Sequence, residues 1–333
     1  MTRSDGSSGA DAGRQARAER FTEARPRLVG LAYRMLGSRT DADDVVQDAW
    51  LRYQASGVEP DNPDAWLTTV TTRLALDRLR SAPVRRERYV GPWLPEPVRT
   101  RYGVDWTDAL AAGVAVDGAR AAPDAVPTGS DPAEVVDRAA SLTLGFLVVL
   151  DTLAPEDRAI FLLADVFRMP FAEIASVVGR SPDACRQAAS RARRRVREAA
   201  PTASGGPRAG EWQRAAALAV ALEAGDVDAT LELLSPDAVL VSDGGADRHA
   251  ARRPVRGADR VTRFLVNTAA RRGPETAVEL AEINAAPAII LRPVDADPVV
   301  MTVEFGASGR VDAVRLVLAP AKLTALDADA LEW

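Results

Sequence analysis

Arginines crowd one short stretch of this chain. Arg186, Arg191, Arg193, Arg194, Arg195 and Arg197 fall within residues 182–199, opposed there only by Asp183 and Glu198. Guanidinium groups at that density hold phosphate oxygens, and arginine, glutamine and serine side chains can reach base edges in a major groove. Arg186, Gln187 and Ser190 lie at spacings that share one helical face. Arg180 and Ser181 precede them, where the free N–H groups of a helix start suit a phosphate. Arg191 and Arg194 continue the face toward the backbone of a duplex. An arginine-rich helix could also be a merely solubilising surface, but the residues before it argue for more. Ile174, Ala175, Val177 and Val178 form an apolar helical stripe that stops at Gly179, a residue able to take the left-handed conformation that ends a helix. Ser181 then offers a cap and Pro182 suits a first helical position. Cys185 and Ala188 fall on the inward side. This order predicts a helix-turn-helix with a DNA-reading second helix.

Two further clusters could do chemistry. Asp41, Asp43, Asp44 and Asp48 gather at one predicted helix start, with Gln47, Trp50 and Leu51 beside them. Such a face suits a basic protein partner and repels DNA; the same aspartates could instead serve only the helix dipole. The next helix is basic, with Arg73, Arg78 and Arg80, and it follows a loop containing Asp61, Asn62 and Pro63. Arginines there can hold phosphates while the loop receives an extruded base, with Asn62 pairing to its edge. Trp66 is either a stacking surface or a core residue.

These clusters need helices to position them. Phe21, Leu28, Leu31, Ala32, Met35 and Leu36 have helical spacing, and Gly37 closes that run. Val45, Val46, Ala49, Trp50 and Tyr53 continue it, followed by Trp66, Leu67, Val70, Leu74 and Leu79. Residues 21–82 therefore read as an all-α unit preceded by a disordered tail over 1–20. A proline-scattered linker spans 83–132, with a helical piece only at Trp106–Val114 and a tryptophan, Trp93, placed to dock elsewhere. A second all-α unit, 133–200, ends in the helix-turn-helix. A flexible linker over 201–210 leads to a region of different character. That last region, 211–325, predicts helices at Glu211–Ala224, Asp226–Leu234 and Ala258–Arg271. It predicts strands at Ala238–Ser242, Ala288–Arg292, Val299–Phe305 and Val311–Leu318, and so an α+β domain with a curved antiparallel sheet.

The chain has 333 residues, a net charge of −5, one cysteine and one histidine. Its basic character is local, as a DNA-binding protein allows. The single cysteine excludes an internal disulfide and suits a reducing compartment. No apolar run approaches a membrane span, and the N-terminus lacks the apolar core of a secretory signal. Lys322 is the only lysine, which is consistent with the arginine bias of a GC-rich genome.

The segments LVGLAYRMLGSRTDADDVVQDAWLR and PDAWLTTVTTRLALDRLR resemble region 2 of extracytoplasmic-function RNA polymerase sigma factors, and LDTLAPEDRAIFLLADVFRMPFAEIASVVGRSPDACRQAASRARRRVRE resembles region 4. The last domain resembles the SnoaL-like branch of the nuclear-transport-factor-2 cone fold. The linker motif WLPEP and the segment DGGADRHAARRPVRGADRVTRFL are similar to a sigma-factor group that carries such a domain. The resemblance implies a cytoplasmic partner of core RNA polymerase and promoter DNA, touching the β′ clamp helices and the β flap. It assigns the acidic face to the clamp helices, the basic third helix to the −10 element, and Arg180, Ser181, Arg186, Gln187, Ser190, Arg191 and Arg194 to the −35 element. A regulatory contact would join Trp93 and Leu94 to Asp243, Gly244, Gly245 and Lys322. Two positions depart from the group: Ala246 stands where a third glycine is usual, and Ala319-Pro320-Ala321-Lys322-Leu323 keeps only the proline, lysine and leucine of an asparagine-proline-aspartate-lysine-leucine motif. The cone could hold a small molecule. An enzyme there would have to use His249 and Asp243 as acid and base, whereas a lone histidine in the arginine-rich loop 246–257 reads more simply as solvated. No catalytic set, metal or cofactor is expected. A one-component repressor would explain the helix-turn-helix but not the acidic and basic helices before it.

Overall fold

The structure is a computed structural model that describes residues 5–56, 59–81, 89, 91–100, 142–199, 210–273 and 275–326. The expected helical piece at 106–114, most of the linker over 83–132 and the linker over 201–209 lie outside these residues. The chain divides into two compact units: Met1–Pro83 with Leu153–Arg194, and Val84–Thr152 with Arg195–Ala330.

The first unit is helical. α1 spans Asp5–Leu36, α2 Arg39–Ala55 and α3 Pro63–Ser81. Leu28, Leu31, Ala32, Met35, Val45, Val46, Ala49, Leu67 and Leu76 form its core, each large side chain contributing about 1.5–3 kcal/mol by leaving water. Ser38 caps α2 by accepting from the Asp41 amide at 3.0 Å. The tail expected to be disordered over 1–20 is instead helical from Asp5. Arg17 supplies the reason, donating to Glu59 at 2.6 Å and to the Ser56 carbonyl at 2.9 Å. Residues beyond the apolar run are thus tied to the end of α2. α5 (Pro155–Phe161) runs into a wider π-helical turn at Leu162–Val166, then α6 (Phe171–Val178) and α7 (Pro182–Ala199). Gly179 between the last two has φ 72°, so the helix-turn-helix closes through a left-handed residue. Arg158, 4% exposed, donates to the Met35 carbonyl at 2.6 Å and joins α5 to α1.

The second unit contains α4 (Leu144–Asp151), α8 (Glu211–Ala224), α9 (Val227–Leu233) and α10 (Ala258–Ala269). Its strands are β1 (Leu234–Asp243), β2 (Val255–Arg256), β3 (Ala277–Ile283), β4 (Ala286–Arg292), β5 (Val299–Phe305) and β6 (Val311–Val317). They form one sheet in the order β2-β1-β6-β5-β4-β3. The sheet is mixed: β1 pairs parallel with β6, while every other pair is antiparallel. In sequence β1 and β6 are separated by the other strands and α10, a long connection that permits the parallel pairing. Helices before a sheet make this the expected α+β domain, although the sheet is mixed and not wholly antiparallel. Leu218, Leu222, Leu265, Leu280, Ile289, Met301, Val303, Val314 and Leu316 fill the core between helices and sheet.

Alternation along the strands makes a second point. Ile283, Ala288, Ile290, Val300 and Val317 point to the opposite face from that core, and all are fully buried. The described segments fastened to this outer face are residues 94–100 and the start of α4. The first helix of the expected second all-α unit therefore packs within the second compact unit, whereas Leu153 onward belongs to the first.

Candidate sites on two helical surfaces and at Asp243

On α2, Gln47, Asp48 and Leu51 are exposed, and Leu51 is 52% exposed despite its apolar side chain. Trp50 is half-buried, stacked on Phe21 with ring centroids 4.7 Å apart. Asp43 is held by Arg39 at 2.5 Å and Arg25 at 2.9 Å. Asp41 and Asp44 both accept from Arg78, at 2.5 and 2.9 Å. Two of the four clustered aspartates and one arginine expected to face DNA thus pair with each other, while Asp48 stays exposed.

The other two arginines of α3 are also engaged. Arg73 donates to the carbonyls of Ser176 and Val177, at the C-terminal end of α6, where a cation is favoured by the helix dipole. Arg80 pairs with Glu156 at 2.7 Å, and that guanidinium holds the Glu156 carboxyl below its usual range. Asn62 caps α3, its Oδ1 accepting from the Ala65 amide at 3.1 Å, which leaves the amide nitrogen as the group it can offer a base. Asp61 is exposed and Pro63 opens the helix. Trp66 is half-buried, 5.6 Å from the Tyr53 ring.

α7 has the opposite arrangement. Cys185, Ala188, Ala189 and Ala192 are buried, while Arg180, Ser181, Arg186, Gln187, Ser190, Arg191 and Arg194 are exposed along its start and outer side. Ser181 accepts from the Ala184 amide at 3.2 Å, the cap expected of it. Arg186 is paired with Asp183 and lies 5.9 Å from the centre of the Phe171 ring; Arg180 reaches Asp157 at 3.3 Å. Burial pushes the Cys185 thiol up, so it packs as a small hydrophobe.

In the second unit, Trp93, Leu94, Asp243, Gly245 and Lys322 come together. Asp243 is 1% exposed. Its Oδ1 accepts from Tyr89 Oη at 2.5 Å and the Gly245 amide at 3.0 Å, and its Oδ2 accepts from the Leu94 amide at 2.7 Å and Lys322 Nζ at 2.6 Å. Lys322 Nζ also donates to the Leu94 carbonyl at 2.5 Å. It lies 4.8 Å from the centre of the Tyr89 ring and 4.3 Å from that of Trp93. Two rings, a carboxylate and a carbonyl thus enclose one ammonium, a compact charge that a planar guanidinium would not replace. Tyr89, unforeseen from sequence, has its hydroxyl pushed far above its usual range by burial, then by the Asp243 hydrogen bond. Both glycines are needed. A Cβ on Gly244 would meet the Arg248 carbonyl oxygen at 2.3 Å, and Gly245 has φ 62°. Ala246 is exposed and lacks a positive φ, so the alanine leaves this turn intact. With four donors on its carboxylate, Asp243 is occupied as a structural acceptor, and His249 lies exposed in its loop. Among the described residues no cluster of metal-ligating side chains occurs, and no helix is long and apolar enough to cross a membrane.

Comparison with known proteins gives the family of the chain. The family model for sigma-70 region 2 matches residues 21–83, and that for sigma-70 region 4 matches residues 145–196. The extracytoplasmic-function RNA polymerase sigma factor SigJ of Mycobacterium tuberculosis is 42% identical over 254 residues, covering 76% of this chain and 73% of that protein. A probable sigma factor of the same organism, SigI, is 35% identical over 210 residues, 63% of each. The crystal structure of SigJ superposes with a TM-score of 0.69 at 34% identity, covering 94% of this chain and all of that one. The chain belongs to the extracytoplasmic-function sigma factors, the RNA polymerase subunits that direct promoter-specific initiation of transcription.

Proposed function

We propose that α2 meets the polymerase, α3 and its preceding loop open the −10 element, and α7 reads the −35 element, under control of the C-terminal domain. The observation that carries this is the contrast between two surfaces, one on α2 where Gln47, Asp48 and a bare Leu51 are exposed, and one on α7 that is lined by exposed arginines. Asp41, Asp43, Asp44, Gln47, Asp48, Trp50 and Leu51 face the β′ clamp helices. Asp61, Asn62, Pro63 and Trp66 receive the melted strand. Arg73, Arg78 and Arg80 exchange their present partners for phosphates, each a charge-assisted contact replacing another. Region 4 also meets the β flap. The chain works in the cytoplasm, where its partners are.

Control centres on Asp243, which gathers Tyr89, Leu94 and Lys322. In this reading the domain regulates and does not catalyse: among the described residues the acid–base pair the sequence suggests, Asp243 and His249, consists of an aspartate with four donors and an exposed histidine. A small molecule entering the cone would alter control without being turned over. Run-off transcription with core polymerase tests the reading. Arg186→Ala should reduce initiation from a cognate promoter while leaving polymerase binding unchanged, and Lys322→Ala in the full chain should change transcript yield. Truncation after Ala200 is a poorer test, because it also uncovers the face of α4 that the second unit buries.

A further inference from the structure

The tip of the β3–β4 hairpin is buried, although hairpin tips ordinarily face solvent. Asn284 and Ala285, its two central residues, are 0% and 2% exposed. Their φ angles are 53° and 55°, the pair of left-handed residues that defines a type I′ turn. Asparagine is usual in the first position and glycine in the second. Here an alanine accepts the strain of a Cβ in the left-handed region, and such strain persists where the surroundings hold it.

The surroundings are a hydrogen-bonded socket. The Asn284 amide donates to the Val98 carbonyl at 2.9 Å, and Asn284 Oδ1 accepts from the Val98 amide at 3.0 Å. Asn284 Nδ2 donates to the Leu142 carbonyl at 3.0 Å. The Ala285 amide donates to Thr100 Oγ1 at 2.7 Å, and that hydroxyl donates to the buried Glu282 carboxylate at 2.7 Å. Val98 and Leu142, which flank residues 101–141, therefore meet on one side-chain amide. Only asparagine offers a donor and an acceptor in a plane this short while tolerating the left-handed backbone.

Leu142 leads directly into α4, where the match to sigma-70 region 4 begins. Thr143 caps α4. The Gly145 amide donates to Glu304 Oε1 at 2.9 Å, and a Cβ on Gly145 would collide with the Glu304 and Arg315 side chains. The helix start thus sits close against the outer sheet face, with Asn284 holding the residue that precedes it.

We infer that Asn284 is a latch through which the C-terminal domain holds both the linker and the first helix of region 4, and that opening its Leu142 arm alters transcription initiation. This rests on the reading that the C-terminal domain controls the sigma factor. Two full-chain variants separate its parts. Asn284→Gly keeps the turn and removes both side-chain arms. Asn284→Asp keeps the acceptor for the Val98 amide and replaces the donor to Leu142 with a carboxylate oxygen.

The test is hydrogen–deuterium exchange read by mass spectrometry, followed by run-off transcription with core polymerase. Asn284→Gly should accelerate exchange over residues 94–100 and 142–151 by at least about tenfold, the equivalent of one buried hydrogen bond. Asn284→Asp should accelerate 142–151 more than 94–100. In both, the β4–β5 ladder should exchange as in the unmodified protein. Unchanged exchange over 142–151 in both variants overturns the latch, as does general loosening of β4–β5 in both, because Asn284 would then maintain the fold. If only the glycine variant loosens β4–β5, the aspartate variant decides. Release of 142–151 with unchanged transcript yield leaves the latch standing as a contact and overturns the control reading.

Discussion

The two units use the same pairing of carboxylate and cation at very different depths. In the first unit, Arg78 bridges Asp41 and Asp44, Arg39 and Arg25 hold Asp43, and Arg80 holds Glu156, all with side chains partly in water. In the second, Lys322 and Asp243 are 10% and 0% exposed at the side chain. Exposed pairs are screened and contribute about 0–1 kcal/mol each. A buried pair has lost its water, so removing one partner leaves an uncompensated charge that costs about 3–5 kcal/mol. The first kind can be exchanged for a phosphate or a partner protein at little expense. The second holds the linker and the C-terminal segment in one arrangement until something replaces the charge.

The largest expected effect follows from that contrast. Lys322→Ala should lower the unfolding free energy by about 3–5 kcal/mol in denaturant titration, because Asp243 would stay buried with only neutral donors. Lys322→Arg should recover little of it, since the guanidinium cannot fit between the Tyr89 and Trp93 rings as an ammonium does. A loss below about 1 kcal/mol for Lys322→Ala would make the buried pair no different from an exposed one, and the contrast would fail.

The next effect is on recognition and not on stability. Arg186→Ala should cost about 1–3 kcal/mol of discrimination at one base pair of the −35 element, measured as relative initiation from mutated promoters. Its thermal midpoint should stay within a degree or two, because the residue is exposed and its partner Asp183 lies on the same helix.

How far these roles could be read in advance depends on where the partners lie in sequence. Helix periodicity, Gly179 and Ser181 locate the helix-turn-helix because the turn chemistry is local. The strand at Val299–Phe305 is legible for the same reason. β3 carries no such signal, since its second half is buried on both faces and loses the period-two alternation. The basic face of α3 was legible, but its partners were not. Arg73 and Arg80 find theirs in α6 and α5, far along the chain, and charge counting cannot see that. Composition alone gives Lys322 no role; the family resemblance sets it beside Trp93 and Asp243, and Tyr89 is the partner that no motif announces. Asn284 gave no signal, because a buried hairpin tip and an exposed one have the same residues.

Smaller still is Arg78→Ala. It should change stability by no more than about 1 kcal/mol, since its partners Asp41 and Asp44 remain solvated when it is gone. Its effect should instead appear in open-complex formation, measured with a fluorescent −10 base, if the arginine passes from the aspartates to a phosphate. A stability loss comparable to that of Lys322→Ala, with normal promoter opening, would place Arg78 among the structural pairs.

The smallest effect tests an exposed carboxylate through pH. Tyr53 donates to Glu59 Oε1 at 2.5 Å, with Arg17 on the other oxygen at 2.6 Å. The Tyr53 hydrogen bond, with Arg17 and Arg20, holds the Glu59 carboxyl below its usual range. A depressed carboxylate stabilises the folded state fully above its ordinary value and loses that contribution as pH falls through the depressed one. Burial, then Glu59, pushes the Tyr53 hydroxyl up, so its contribution is present below the usual phenol range and lost as pH rises through the raised value. Tyr53→Phe should therefore cost less than about 1 kcal/mol at neutral pH, after screening of a glutamate side chain 42% exposed. The difference between the two proteins should shrink as acid protonates Glu59 in both. A penalty that stayed constant down to about pH 3 would mean that Tyr53 acts through packing against Trp50 and Trp66, not through Glu59.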